Sequence, residues 1–500
     1  MSQPLSYLLD GVIGVQSGFE DQQISEMTLD SRAVIGGYLF VAMNGSQEHG
    51  LKYAQKAEQS GAVAVIWEYV DGIDVPELSI PLIAIKNLPA SLGGIAARLY
   101  DYSNQPLQIV GITGTDGKTS VSHFLAQAMN ASGGSCAVIG TLGIGNPNAL
   151  EKATHTTPDV ISVHKNLQRL SQRGSRCVAM EVSSHALDQQ RVAGVNFDVA
   201  ILTNLTRDHL DYHGTVEAYA EAKAKLFLEH RPKSAVLNLN DDFGLLLAEK
   251  LSGSDVTVVP YVIGDASDYT ETTLVASSAN YNHRGLSAVV SYKNQNYSLG
   301  ASVLGDFNLS NLMATLGAMI SLGYDIDVAI DAVTKVATVS GRIERVALNE
   351  HQDFLTVADY AHTPGALESV LSALRVHCSA KLICVFGCGG DRDAGKRPLM
   401  AAVAERLADV VIVTDDNPRT ENPVDIMSDI TAGFEHPEAV IIEHDRSAAI
   451  KLAVQQANTG DVVLIAGKGH EQAQLIGGVE YPFDDREQIR QALATMEAAA

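Results

Sequence analysis

Positive charge is scarce in this chain. Its 500 residues carry 35 Lys and Arg against 59 Asp and Glu, a formal net charge of -24, which argues against a nucleic-acid polyanion as the main partner. No apolar run is long enough to span a bilayer, and the start, Met1-Ser-Gln-Pro4, lacks the basic-then-apolar form of a secretory signal. A cytoplasmic protein that engages neither membrane nor nucleic acid is expected. Cysteine is sparse as well: Cys136, Cys177, Cys378, Cys384 and Cys388 form an odd set without C-x-x-C spacing. Three of them lie in or beside apolar strand-like runs, so buried thiols are favoured over disulfides or metal ligands. Internal repeats are missing, and low complexity is confined to Ala498-Ala-Ala500.

Hydrophobic residues at 46% and charged residues at 19% are ordinary for a globular protein, and the length calls for several cores. Three blocks are expected, at 1–103, 104–340 and 341–500. The first has strand candidates Tyr38–Ala42, Ala62–Ile66 and Pro81–Ile85 and ends in the linker-like Asp101-Tyr-Ser-Asn-Gln-Pro106. The second has Ala137–Ile139, Cys177–Glu181, Asp198–Thr203 and Ser234–Asn238 with helices between, then a polar alternating stretch at Tyr269–Leu299 that predicts added antiparallel strands. The third has Lys381–Phe386, Asp409–Thr414, Ala439–Glu443 and Asp461–Ala466. This alternation predicts an α/β protein with mostly parallel sheets.

The strongest local signal is Gly111-Ile-Thr-Gly114-Thr-Asp-Gly117-Lys118-Thr119-Ser120, between an apolar run and a helical pattern. Backbone N–H groups and a helix N-terminus there face a phosphate, Lys118 adds charge, and Thr119 offers a hydroxyl to magnesium. A strict Walker A sequence would need Gly where Ile112 stands. Glu181 and Asp208-His209 end neighbouring strand candidates, on the edge where a magnesium triphosphate would sit. In the third block three strand candidates run into polar tips, Gly387–Arg392, Asp415–Arg419 and Gly467–Glu471. Ligands of open α/β sheets collect at such carboxyl ends, and the mix of Arg392, Asn417, Arg419 and Glu471 suits a small amino acid with more than one carboxylate. Other segments stay open on sequence alone. Lys223 reads as a solvated helix lysine, about 200° around the helix from Lys225. Asn308 and Asn311 share a helix face and serve equally as caps or ligand contacts.

These segments, with Asp30-Ser-Arg32, Thr156-Thr-Pro158, Met180–His185, Asp208–His213, Asn308–Asn311, Ser340-Gly-Arg342, Asp359–Pro364, Asp416–Arg419 and Lys468–Glu471, resemble the Mur ligases along the whole chain. The resemblance implies a central P-loop-type ATPase sheet flanked by an N-terminal α/β domain and a C-terminal Rossmann-like domain, acting as a monomer. It implies that ATP phosphorylates the D-glutamyl carboxylate of UDP-N-acetylmuramoyl-L-alanyl-D-glutamate, and that the amine of meso-diaminopimelate attacks the acyl phosphate. ATP and magnesium are the implied cofactors, and the other partners are small molecules. Folylpolyglutamate synthetases share the ATP block, but the Asp-Ser-Arg and Asp-Asn-Pro-Arg segments argue against that assignment.

Carried over by position, the resemblance places ATP on Gly114, Thr115, Asp116, Gly117, Lys118, Thr119, Ser120, Asn308 and Arg342. Magnesium falls to Thr119, Glu181, His209 and Lys223, the last matching a carbamylated lysine; Lys118, Glu181, His209 and Lys223 are the implied catalytic set. The UDP-sugar peptide falls to Leu29, Ser31, Ser46, Gln47, Glu48, Thr156, Thr157, Ser183, Gln189 and Arg191. Diaminopimelate falls to Arg392, Asp416, Asn417, Pro418, Arg419, Gly467 and Glu471, with Arg419 pairing the far carboxylate that lysine lacks. The family loop usually reads Gly-Thr-Asn-Gly-Lys-Thr-Thr, so Asp116 and Ser120 are departures.

Overall fold

Apolar runs separated by helices are the pattern of strands buried on both faces, and in the computed structural model they form parallel sheets. The structure describes residues 2–12, 22–45, 48–102, 106–153, 155–338, 341, 343–349 and 352–499. The chain divides into two compact units, Met1–Tyr261 with Ala314–Asp325, and Val262–Met313 with Ile326–Ala500.

Besides a two-stranded pairing of Gln3–Pro4 with Gln23–Ile24, the first unit holds two larger sheets. Strands Glu26–Thr28, Tyr38–Ala42, Ala62–Glu68 and Leu82–Ile85 are parallel and adjacent in chain order. Leu39, Val41, Ala64 and Ile66 pack with Leu92 and Ile95 of helix Leu88–Leu99, while Phe40, Val65 and Trp67 pack with Ala54 and Ala57 on the opposite face. In the second sheet Cys136–Gly140, Cys177–Glu181, Gln108–Thr113, Val199–Leu202, Ser234–Asn238 and Thr257–Ile263 run parallel in that spatial order. The strand leading into the phosphate loop therefore lies in the interior of the sheet. Its register sets Ile112 beside Glu181 on one side and Ile201 on the other, so Glu181, Gly114 and Thr203 reach one carboxyl edge together.

The second unit contains the antiparallel strands Leu274–Asn282, Gly285–Tyr292 and Gln295–Ala301, as the alternating polar stretch predicts. Its six-stranded sheet has the order Glu344–Arg345, Leu355–Asp359, Val462–Ala466, Leu382–Phe386, Val410–Val413, Ile441–Ile442, parallel except for the first. Val357, Cys384, Val413 and Leu464 face one helical layer; Ile383, Val385, Ile412 and Ile465 face the other. The α/β class expected from sequence is what the chain adopts. One strand is shorter than expected: only Ile441–Ile442 pairs, because a 3-10 turn occupies Pro437–Ala439. Cys136, Cys177, Cys384 and Cys388 are buried free thiols and Cys378 is half-buried. Among the described residues no helix is long and apolar enough to cross a membrane.

Against the six-stranded sheet, Arg446 opens helix Arg446–Gln456 and Asp485 opens helix Asp485–Ala499, both side chains fully buried. Arg446 donates from Nε and Nη2 to the two carboxylate oxygens at 2.7 Å each, and Nη2 also reaches Ala466 O at 3.0 Å. Removing one partner of a buried pair strands the other charge. Arg446→Met should therefore lower the unfolding free energy by about 3–5 kcal/mol, with much of that recovered in Arg446→Met/Asp485→Leu. Urea denaturation of the three proteins measures this, and a loss below about 1 kcal/mol in the single variant contradicts it.

Candidate active site

The phosphate loop leaves the strand Gln108–Thr113 and enters helix Lys118–Ala131 through Gly117, whose φ of 82° is left-handed. Gly114 permits a closer approach still. At its φ of +149° a Cβ would lie 1.8 Å from Thr203 Oγ1, so no side chain fits. The loop is tied to the next strand's exit: Thr203 Oγ1 donates to Asp116 O at 2.6 Å, Thr115 N to Asn204 O at 3.0 Å, and Asp116 N to Asn204 Oδ1 at 2.9 Å. The Asp116 side chain itself is exposed. Three cationic or hydroxyl groups converge behind this loop. Lys118 Nζ donates to Gly114 O at 2.8 Å and Thr115 O at 2.7 Å, and Lys223 Nζ donates to the same Gly114 O at 2.7 Å. Thr119 Oγ1 donates to Glu181 Oε2 at 3.0 Å.

Burial of charge dominates here. Burial pulls Lys118 below the usual lysine range, against the opposing fields of Glu181, Asp116 and Asp208. Lys223 is pulled well below it, by burial first and by Lys118 second. Burial likewise pushes Glu181 above the usual carboxyl range, although Thr141 and Thr119 donate hydrogen bonds to it. Glu181 and Thr119 together offer hard oxygen donors of the kind magnesium takes. Among the described residues no group of three or more His, Cys, Asp and Glu could hold a metal by itself; the fit rests on oxygens of mixed origin. A lysine with a depressed pKa is a nucleophilic amine, so Lys223 is chemically suited to carbamylation.

His209 sits on the rim at a left-handed φ of 51°, 3.5 Å from Asp208 by its Nε2, with the His185 ring 4.8 Å away and the Tyr219 ring 6.1 Å away. Tyr219 is buried and links the parts: its hydroxyl is 3.2 Å from Thr115 Oγ1, and Lys223 Nζ lies 4.4 Å above its ring. Lys225 points elsewhere, to Asp188 Oδ1 at 3.0 Å, as the helical angle requires. Further along the same edge, Thr157 Oγ1 donates to Glu181 O at 2.8 Å, Arg191 Nη1 donates to Thr157 O at 3.0 Å, and Thr156 Oγ1 lies 3.0 Å from Thr141 Oγ1, whose one proton is on Glu181. Arg191 also grips Gln189 Oε1, and Ser183 caps helix Ser184–Asp188 by accepting from Ala186 N. Thr156, Thr157, Ser183, Gln189 and Arg191 thus form one connected group beside Glu181. Ser31 is buried, Leu29 is exposed, and Glu48 bonds Lys52 and Tyr53. Ser46, Gln47 and Arg342 lie outside the described residues.

In the second unit the three polar tips lie side by side, because Val462–Ala466, Leu382–Phe386 and Val410–Val413 are parallel neighbours. Arg419 holds a left-handed φ of 55°, a conformation non-glycine residues rarely take. Its backbone is clamped to the hairpin strand Ala473–Ile476: Arg419 N donates to Leu475 O at 2.9 Å, and Gly477 N to Arg419 O at 2.6 Å. Its Nη1 donates to Gly390 O at 2.7 Å, and a Cβ on Gly389 would meet that nitrogen at 2.7 Å. Asn417 Nδ2 donates to Glu471 Oε2 at 3.0 Å. Asp416 is buried with Oδ2 unpartnered among the described residues, and Gln474 Nε2 bonds its carbonyl at 2.8 Å. Arg392 is exposed on its tip, Pro418 is buried, and Gly467 follows Val462–Ala466. Asn308 lies inside helix Phe307–Ser321, where Nδ2 donates to Leu304 O at 2.6 Å and Asn311 Nδ2 donates to its Oδ1 at 2.8 Å. It is therefore not the helix cap; Asp306 accepts from Phe307 N instead.

Several participants escape a sequence reading. Thr141 binds Glu181 twice, and Tyr219, Thr203 and Asn204 buttress the loop. Their only sequence signal is position, just past a strand or within a helix, and that signal is weak.

Profiles described as Mur ligase family, catalytic domain, Mur ligase middle domain, and Mur ligase, glutamate ligase domain match residues 23–100, 112–319 and 341–469. The chain belongs to the Mur ligase family. It is 47% identical over 499 residues to a UDP-N-acetylmuramoyl-L-alanyl-D-glutamate–2,6-diaminopimelate ligase of Ectopseudomonas mendocina, covering 100% of both chains. It is 48% identical over 477 residues to that of Pseudomonas aeruginosa, covering 95% of this chain and 96% of the other. A solved structure of an enzyme so named superposes with a TM-score of 0.81 at 35% identity, covering 99% of this chain and 100% of that one.

The depressed Lys223 fixes a pH dependence. Between its folded value and 10.5 the folded state binds fewer protons than the unfolded chain, so stability from this group rises with pH through that window. At neutral pH the buried amine is a cost. Lys223→Met should raise the thermal midpoint at pH 7 in bicarbonate-free buffer, and the gain should shrink toward pH 10. Differential scanning fluorimetry at both values checks this; a loss at pH 7 that matches the change at pH 10 contradicts it.

Proposed function

We propose that this chain is the ATP-dependent ligase that adds meso-diaminopimelate to UDP-N-acetylmuramoyl-L-alanyl-D-glutamate in peptidoglycan precursor synthesis. Full-length similarity to ligases named for that reaction carries the reading, and the Asp416–Arg419 tip supplies its local chemistry. The D-glutamyl carboxylate attacks the γ-phosphorus of ATP, and ADP leaves. The diaminopimelate amine then attacks the acyl carbon, the C–O bond to phosphate breaks, and the ammonium proton is lost as the amide forms.

Lys118, with Gly114 to Ser120, holds the triphosphate, and Asn308 and Arg342 complete the ATP contacts. Thr119, Glu181, His209 and carbamylated Lys223 would hold magnesium, which would screen the phosphoryl charge when bound. Carbamylation requires carbon dioxide: the neutral Lys223 amine bonds the carbon of carbon dioxide and loses a proton, converting a buried amine into an anionic carbamate. Leu29, Ser31, Ser46, Gln47, Glu48, Thr156, Thr157, Ser183, Gln189 and Arg191 receive the UDP-sugar peptide. Diaminopimelate is held by Arg392, Asp416, Asn417, Pro418, Arg419, Gly467 and Glu471. Carboxylates of Asp416 and Glu471 suit an ammonium, and the Arg419 fork suits the far carboxylate and repels a lysine ammonium. Domain limits of 1–103, 104–340 and 341–500, a monomeric state and a cytoplasmic location belong to the same proposal.

Arg419→Ala should raise KM for diaminopimelate by about 30-fold or more, the scale of losing one partner of a desolvated charge pair, while KM for ATP stays within about twofold. Initial-rate kinetics with each substrate varied settle the matter, and parallel rises in both constants count against the assigned role.

A further inference from the structure

Lys468 has no part in the site described above, yet its side chain is fully buried at the centre of the amino-acid tips. It follows the strand Val462–Ala466 and extends behind Asn417 and Glu471. Nζ donates to Asn417 Oδ1 at 2.8 Å and to Glu471 Oε2 at 3.3 Å. Leu475 N donates to the same Asn417 Oδ1 at 3.0 Å. An ammonium and a backbone N–H are pure donors, so the Asn417 atom they share must be the amide oxygen. The amide is therefore locked with its NH2 toward Glu471, where Nδ2 donates to Oε2 at 3.0 Å. Oε2 thus receives two donors, and among the described residues no hydrogen bond reaches Oε1, which faces an incoming ammonium in this proposal. Lys468 is enclosed and Glu471 is partly exposed, so the lysine acts through its neighbours and does not touch the substrate.

We propose that Lys468 is a positioning residue of the amino-acid site, its buried ammonium fixing the Asn417 amide and the Glu471 carboxylate in the arrangement that receives diaminopimelate. The proposal rests on the amino-acid site assigned under Proposed function. It differs from a purely structural ion pair in what it moves. A structural pair would affect stability and all substrates alike, whereas this one acts on the amino acid alone.

The test uses the full chain, with phosphate release and product formation measured for wild type, Lys468→Met, Asn417→Ala and the double variant. Lys468→Met should raise KM for diaminopimelate by about 30-fold, leaving KM for ATP and for the UDP-dipeptide within about twofold. Because Lys468 works partly through Asn417, the double variant should be far less impaired than the product of the two single effects. An unchanged diaminopimelate KM, equal rises for all three substrates, or fully multiplicative effects would each overturn the proposal. If Lys468→Met does not fold, Lys468→Arg serves: it keeps the charge but replaces a point donor by a planar fork. It should still raise the diaminopimelate KM selectively, and an unchanged value overturns the proposal. A wild-type chain that ignores diaminopimelate instead sinks the functional reading on which this one stands.

Discussion

The nucleotide end of this protein depends on one parallel register. With Ile112 paired to Glu181 on one side and Ile201 on the other, three strands end level. The phosphate loop, the buried carboxylate and the Thr203–Asn204 buttress then share one edge. A slip of one residue would turn every side chain of a strand to the opposite face. It would carry Glu181 away from Thr119 and Thr141. Ile109, Met180 and Leu202 of these strands are buried in one core cluster, so the site is seated on ordinary core formation.

Buried charge serves distinct ends in the two units. Arg446 and Asp485 pair through Nε and Nη2 between two helix starts, and the role that follows is structural. Lys118, Lys223 and Glu181 are displaced from their usual protonation ranges by burial. Such displacement is characteristic of groups that meet charged ligands. Lys468 lies between these cases: it is paired like Arg446, but its partners are residues of a proposed binding site.

Much of the architecture was legible in the amino-acid pattern. Strands such as Cys177–Glu181 and Val462–Ala466 announce themselves as unbroken apolar runs, and the three polar tips follow directly from where those runs stop. The short edge strand Ile441–Ile442 was less legible, since an edge has neighbours on one side only and Pro437 diverts the chain before it. Lys223 shows the limit most sharply. Its neighbours Ala-Glu-Ala-Lys-Ala-Lys are helix formers that read as a solvated face, and only the packing of that helix against the loop buries it. Thr141 is remote in sequence from Glu181, Tyr219 from Thr115 and Lys468 from Asn417, so those contacts exist only in three dimensions.

The account joins two sites in one reaction, a phosphorylated carboxylate and an amine held by an arginine-bearing tip. The most direct test supplies UDP-N-acetylmuramoyl-L-alanyl-D-glutamate carrying oxygen-18 in its D-glutamyl carboxylate, with ATP, magnesium and diaminopimelate. Mass spectrometry then follows the label. The account predicts oxygen-18 in the released phosphate together with the diaminopimelate tripeptide, and little product when L-lysine replaces diaminopimelate. Unlabelled phosphate, or lysine incorporated as readily as diaminopimelate, would contradict it.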